Sequence, residues 1–81
     1  MRKFPHNGRI AVLTTDIHTG DGFLIRVPAG TRVRLGAATN QPDNSNIEYW
    51  IGVLGEIDPK VKAYAAIYGI GVSSSDFTVL D

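Results

Sequence analysis

The chain has 81 residues, enough for one domain and too few for two. Apolar residues make up 43% of it and charged residues 20%, a balance that indicates a folded protein and excludes general disorder. No apolar run approaches the roughly 18 residues that cross a bilayer, and residues 1–8 lack the apolar core of a secretory signal. The chain has no cysteine, which excludes disulfides and thiolate chemistry and favours a cytoplasmic location.

Charge is unevenly distributed, although the net charge is zero. Residues 1–35 carry six basic and two acidic side chains, a net charge of +4, and residues 36–81 carry two basic and six acidic ones, a net charge of −4. We interpret most of these charges as solvated faces of strands. A neutral chain argues against binding that is driven mainly by the phosphates of a nucleic acid.

The first part of the chain is predicted to contain an arm, a strand and a loop. A proline, an asparagine and a glycine interrupt regular structure early, so residues 1–8 are predicted to form a flexible arm and residues 9–81 the folded domain. Residues 9–15 are rich in apolar and β-branched side chains and indicate a strand. Residues 16–22, with two glycines and two aspartates, indicate a loop.

Two strands joined by a tight turn follow. Residues 23–27 alternate in apolar character, and residues 32–38 do so again, with Arg32 and Arg34 facing away from the apolar side chains. Between them, the sequence Pro-Ala-Gly-Thr predicts a turn, because proline fixes φ at its first corner and glycine accepts a positive φ.

A polar surface loop over residues 39–46 leads to a strand over residues 47–54. Alternation along this strand predicts that Glu48 and Trp50 stand on its outer face. The side chains predicted to face the core are Ile47, Tyr49, Ile51 and Val53.

The segment that follows has two interpretations. Asp58 as an N-cap, Pro59 as the first helical residue and Gly69 as a stop predict a helix over residues 59–68. The alternative is a strand over residues 61–72, because the preceding strand needs an antiparallel partner and the apolar run continues beyond the helix stop. We favour the strand.

A serine-rich turn over residues 73–76 and a short strand over residues 77–80 close the chain. Together the elements predict an all-β fold, a small five-stranded barrel, with an α+β fold containing the short helix as the alternative. The predicted core consists of Ile10, Val12, Phe23, Ile25, Val33, Leu35, Tyr49, Ile51, Val53 and Phe77.

The order of these features resembles the SH3-like barrel superfamily, which includes small bacterial and phage proteins. The paired aromatics Tyr49 and Trp50 stand where eukaryotic SH3 domains carry two tryptophans. The other matching segments are AVLTTDI for the first strand, DIHTGDGFLI for the long RT-type loop, VPAGTRVRL for the diverging turn and second strand, and GVSSSDFTVL for the 3₁₀ turn and last strand. The resemblance implies a five-stranded barrel over residues 9–81.

The departures from SH3 domains concern peptide binding. A groove for proline-rich peptides needs several exposed aromatics and a proline before the 3₁₀ turn. Here Thr14 and Thr15 replace tyrosines of the first strand. Ser73 replaces the proline and Asp76 the last tyrosine, so that Trp50 alone remains of the aromatic set. Binding of proline-rich peptides is therefore not expected.

No catalytic site, metal site or cofactor is predicted. Asp16, His18 and Asp21 share one loop, but their spacing matches no recognised set of metal ligands, so we interpret them as solvated side chains. His6 and His18 are the only histidines, and neither accompanies a recognisable nucleophile.

Large aromatics predicted on outer faces carry the strongest functional signal, because such side chains are enriched at protein interfaces. We predict a surface for a protein partner around Trp50, and a homo-oligomer interface on the strand over residues 61–72, where both faces are apolar. The partner surface consists of Trp50, Glu48, Arg26, Arg32 and Arg34. The oligomer interface consists of Tyr64, Tyr68 and Ile70.

The predicted function is that of a non-enzymatic protein-binding module of a bacterium or virus, which associates with copies of itself and with another protein. One alternative is a small oligomeric enzyme with an active site between subunits. Barrel-type plasmid dihydrofolate reductases are of this kind, and Ala66-Ile67-Tyr68 resembles their strand motif without its glutamine. The other alternative, which we favour less, is a nucleic-acid-binding barrel with arginines for phosphates and Trp50 for a base.

Overall fold

The computed structural model describes residues 3–20, 22, 24–56 and 58–80. The strands are β1 (Ile10–Leu13), β2 (Ile17–Thr19), β3 (Ile25–Val27), β4 (Arg32–Ala37), β5 (Tyr49–Val53), β6 (Gly71–Val72) and β7 (Phe77–Val79). One α-helix, α1, is Pro59–Ile67, and a 3₁₀ turn is Ser74–Asp76. Across these described ranges, no helix has both the length and the apolar character needed to cross a membrane.

Five of the strands form one curled antiparallel sheet, a half-barrel, in the order β6-β5-β4-β1-β7. The longest pairing joins β4 to β5, with Val33 opposite Val53 and Ala37 opposite Tyr49. The strands β2 and β3 form a separate hairpin. The sequence predicted a loop over residues 16–22, the segment that contains β2. The prediction of a small, mainly β fold is therefore confirmed, with one short helix added.

The turn over residues 28–31 forms as predicted and is tied to β1. Gly30 has φ of +90°, which glycine adopts without steric cost. Its N–H donates to the Leu13 carbonyl at 2.8 Å, and the Leu13 N–H donates to the Thr31 carbonyl at 3.0 Å. These bonds fix the point at which the β2–β3 hairpin departs from the sheet.

The strand predicted over residues 61–72 is wrong, and the helix alternative is correct. The Asp58 side chain accepts a hydrogen bond from the Lys60 N–H at 2.9 Å, and Pro59 occupies the first helical position. Gly69, with φ of +77°, ends the helix and redirects the chain. Because of this stop, β6 retains only two residues to pair with β5. The N-cap Asp58, Pro59 and the stop at Gly69 therefore determine the helix, and β5 pairs with a strand of only two residues on this side.

The core lies inside the curl of the sheet, where α1 also packs. Its buried residues are Ala11, Leu13, Val27, Val33, Leu35, Ala38, Tyr49, Ile51, Val61, Ile70, Val72 and Phe77. Of the predicted core, Val33, Leu35, Tyr49, Ile51 and Phe77 are buried, and Ile10, Val12, Ile25 and Val53 are half-buried. Phe23 lies outside the described residues.

The predicted inward face of β1 is wrong. Ala11 and Leu13 point into the core, while Ile10 and Val12 are only half-buried. The run Ile-Ala-Val-Leu contains no polar residue, so its pattern could not indicate which of the two alternating faces turns inward.

Residues 4–8 lie against the sheet. The Phe4 ring meets the Tyr49 ring edge-on at 5.8 Å between centroids, and the His6 backbone N–H donates to the Tyr49 hydroxyl at 3.0 Å. The Asn7 side-chain oxygen accepts from the Ala37 N–H at 2.9 Å. These contacts cover Tyr49 and satisfy its buried hydroxyl. The flexibility predicted for residues 1–8 stays a prediction.

Candidate binding surfaces on the sheet and the helix

The outer face of the sheet presents Trp50 and Arg34 above glycines. In the β4–β5 register, Trp50 lies opposite Gly36 and Arg34 lies opposite Gly52. Opposed residues of antiparallel strands point to the same face, so each glycine leaves the place beside a large side chain empty. The result is a shallow groove of about 290 Å³, which we call the Trp50 groove. It is lined by Arg34, Leu35, Gly36, Trp50, Ile51 and Gly52.

The indole of Trp50 is held at two edges. Its Nε1 donates to the Asn40 side-chain oxygen at 3.0 Å. At the six-membered ring, a Cβ added to Gly69 would lie 3.2 Å from Cε3, so the glycine backbone packs directly against the indole. Trp50 is half-buried, as expected for a side chain on the outer face. The ring therefore keeps one orientation beside the groove.

Arg34 contributes a positive charge to the Trp50 groove. Its Nη1 donates to the Gly8 carbonyl at 3.1 Å, and the remaining guanidinium donors are available to a ligand. Glu48, two residues before Trp50 on the same face, accepts from the backbone N–H and the hydroxyl of Ser74 at 3.2 and 3.1 Å. Its carboxylate is thus bound to the 3₁₀ turn, and the lining of the groove contains no acidic residue.

The structure separates Arg26 and Arg32 from this groove. They line a cleft of about 570 Å³ between the turn over residues 28–31 and residues 54–58. Glu56 and Asp58 also line this cleft. Arg26 is ion-paired, with its Nη2 at 3.1 Å from an Asp16 carboxylate oxygen. The arginines predicted to share one partner surface with Trp50 therefore belong to two separate surfaces, which differ in charge.

Asp16 serves as a structural link in this region. One carboxylate oxygen accepts from the Ala29 N–H at 2.8 Å and the other from Arg26. The Ala29 hydrogen bond first, and the Arg26 guanidinium second, hold the pKa of Asp16 below its ordinary value. Among the described residues, no group of three potential ligands could hold a metal ion, and Asp21 lies outside them. The absence of a metal at Asp16, His18 and Asp21 stays a prediction.

A third surface lies at the C-terminal end of α1. The rings of Tyr64 and Tyr68 are 4.9 Å apart, and Tyr64 also packs on the core. Tyr68 is 69% exposed and its neighbour Ile67 is 73% exposed. Ile70 was predicted on the same surface, which is wrong: it is 1% exposed, because Gly69 turns the chain and Ile70 enters the core beside Ile51.

Ile67 was not among the predicted site residues. On a helix it falls nearly opposite Ala65 and well away from Val61, both of which pack toward the core. The signal was available in the sequence, but only to a helical interpretation of residues 59–68.

The three surfaces differ in chemistry. The Trp50 groove joins an aromatic ring to a cation, the cleft beside Arg32 carries charges of both signs, and the end of α1 is apolar. Comparison with protein-family models, with curated proteins and with solved structures finds no match to this chain.

Proposed function

We propose that the protein is an SH3-like barrel that acts as a protein-binding module, and that it binds a second copy of itself through the end of α1. The barrel assignment is supported by the order of elements: a first strand, the β2–β3 hairpin in place of the RT loop, a tight turn, β4, β5, β6, and a 3₁₀ turn before β7. The main departure is α1, which stands between β5 and β6.

The observation that carries the binding proposal is the exposure of two adjacent large apolar side chains, Ile67 at 73% and Tyr68 at 69%. Ala63 and Ala66 are also exposed and lie on the side of α1 that carries Ile67, whereas the ring of Tyr68 lies beside that of Tyr64. Isolated apolar side chains on a surface are ordinary, but a contiguous apolar face is typical of an interaction site. The residues from Ala63 to Tyr68 include no charged side chain, and the exposed Lys60 and Lys62 precede them on α1.

A second copy fits this face for two reasons. The small side chains of Ala63 and Ala66, exposed on the side of Ile67, would let two identical helices approach closely. In an antiparallel pair, the exposed Lys60 and Lys62 would lie beside the C-terminal end of the other helix, where the helix dipole favours positive charge. The proposed dimer is therefore symmetric, with α1 packed against α1.

Light-scattering mass at micromolar concentration tests the proposal. The wild type should give about twice the chain mass of 8.8 kDa. Ile67→Asp and Tyr68→Asp should be monomeric, because each buries a charge in the interface. Asn44→Asp, in the exposed loop over residues 39–46, is the matched control and should remain dimeric.

A monomeric wild type would contradict the self-association. Dimers that persist in both Ile67→Asp and Tyr68→Asp would place the interface elsewhere on the molecule. Far-ultraviolet circular dichroism of each variant shows whether a loss of mass reflects unfolding instead.

The other functional readings stay predictions. An active site formed between subunits has no observation in its favour here, and we propose a cytoplasmic location only on the lack of cysteine.

A further inference from the structure

We propose that the Trp50 groove binds single-stranded nucleic acid, with a base against the indole of Trp50 and a phosphate on Arg34, and that the strand continues along β4 to Arg32, which lies outside the groove. This surface lies on the outer face of β4 and β5, whereas the proposed dimer uses α1. The proposal therefore does not depend on self-association, and the two can fail separately.

The groove is shaped for a flat group. Its floor is the backbone at Gly36 and Gly52, and a Cβ added at Gly52 would meet nothing within 4 Å. The nearest atom to a Cβ at Gly36 is the Trp50 carbonyl oxygen at 3.8 Å. A planar base can therefore lie on the strands beside the indole without displacing a side chain. Because Asn40 and the backbone of Gly69 already hold the ring, binding loses little rotamer freedom.

Positive charge runs along the same face. Arg32 and Arg34 are two residues apart on β4, so their Cα atoms are separated by about 6.7 Å along the strand and both side chains point outward. Both are exposed, and within the described part of the chain the one ion pair involves Arg26 and Asp16, not these two. Arg34 lines the Trp50 groove, which has no acidic lining residue, whereas Arg32 lines the cleft that also holds Glu56 and Asp58. Glu48, on the same face as Trp50, is bound to Ser74. The Trp50 groove is thus cationic through Arg34, although the whole chain is neutral.

A row of cations beside an aromatic ring matches a polymer that alternates anions with planar rings. Stacking on an aromatic side chain requires an unpaired base, because the bases of a duplex are already stacked and paired. An acidic polypeptide offers the charge but not a flat ring at each step. Single-stranded nucleic acid is therefore the occupant that satisfies both Trp50 and the two arginines.

The fluorescence of Trp50 provides a direct readout, since it is the single tryptophan of the chain. We expect an oligothymidylate of about 20 nucleotides, longer than the site of one small barrel, to quench this fluorescence at low salt. Polarisation of the labelled oligonucleotide gives the affinity. Trp50→Leu should weaken binding about tenfold through the loss of one stacked base. Trp50→Phe retains a ring and should restore part of the affinity.

The arginines are tested by salt dependence. Arg34→Gln and Arg32→Gln should each lower the slope of log affinity against log salt by about 0.7, the value for one phosphate of a single strand. Arg26→Gln is the matched control, because Arg26 is an exposed arginine on β3, away from the β4 row of Arg32 and Arg34, and it should leave the slope unchanged. Circular dichroism melting establishes that each variant is folded.

Four outcomes would overturn the proposal. One is the absence of quenching by the oligonucleotide, and another is an effect of Arg26→Gln equal to that of Arg34→Gln, which indicates nonspecific attraction. The third is binding of polyglutamate as tight as that of the oligonucleotide, which assigns the groove to an acidic polypeptide. A duplex of the same length should bind more weakly, and equal binding would also exclude base stacking.

Discussion

The two faces of the curled sheet use the same strands for different purposes. On β4 and β5 the inner face carries Val33, Leu35 and Tyr49, each at most 1% exposed. The outer face alternates large polar or aromatic side chains with Gly36 and Gly52. Because side chains alternate between faces, a strand can hold the core with one set of residues and shape a surface with the other. Substitutions on the outer face should therefore alter binding with little effect on stability.

The largest expected effect is on the inner face. Leu35→Ala should lower the free energy of unfolding by about 2–5 kcal/mol, because it removes buried apolar volume and leaves a cavity at a residue that is 1% exposed. Arg34 directly precedes Leu35 and lies on the opposite face. Arg34→Gln should change the free energy of unfolding by less than about 0.5 kcal/mol. Urea unfolding measures both values. A similar cost for the two variants would show that the faces are not separate.

Gly71 and Gly52 differ in the space that the sheet leaves for a side chain. A Cβ at Gly71 would lie 2.7 Å from Cγ2 of Ile47, so Gly71→Ala should cost about 1–3 kcal/mol through overpacking. A Cβ at Gly52 meets nothing within 4 Å, so Gly52→Ala should leave stability unchanged or slightly raised. Melting temperatures of the pair decide the point, and the expected difference disappears if Ile47 moves aside freely.

A smaller effect is expected from the buried hydroxyl of Tyr49. Tyr49→Phe removes the acceptor of the His6 N–H and should cost about 0.5–1.5 kcal/mol, since packing of the ring is retained. The control is Tyr68→Phe, whose side chain is 69% exposed and whose hydroxyl should not contribute. Hydrogen exchange at the His6 amide should accelerate only in Tyr49→Phe. Unchanged exchange would mean that this hydrogen bond is not formed in solution.

The smallest effect should come from Asp16, which lies off the sheet. Its pKa is lowered in the folded protein, so its carboxylate stabilises the fold above the unfolded pKa of about 3.9, and this contribution is lost as pH falls through the folded pKa. Asp16→Asn should therefore be slightly less stable than the wild type at pH 7, and the difference should shrink below about pH 4. Urea midpoints at both pH values measure it. A difference that grows on acidification would contradict the direction of the shift.

The sequence predicted the parts of the fold where polar residues set the alternation. Along β4, Arg32 and Arg34 mark the outer face, and Glu48, immediately before β5, marks it for the next strand, which placed Trp50 outside correctly. Along β1 no polar residue sets the alternation, and the wrong face was chosen. The pattern of a strand is informative only where it includes side chains that must remain in water.

The segment after β5 was misread because its apolar run extends past the helix. The N-cap Asp58 and the stop at Gly69 were recognised, yet the run through Ile70 and Val72 favoured a single long strand. In the structure the run is divided at Gly69 between a helix and a two-residue strand. The glycines that floor the Trp50 groove were visible in the sequence, but their alignment across strands depends on register, which a sequence does not display.

The edges of the sheet are its shortest strands, with two residues in β6 and three in β7. A long exposed edge offers a row of unpaired backbone groups on which further chains can add, the first step toward amyloid fibrils. Edges of two or three residues give an incoming chain few hydrogen bonds to form. Both open sides of the half-barrel therefore offer less backbone for edge-to-edge addition than long edge strands would.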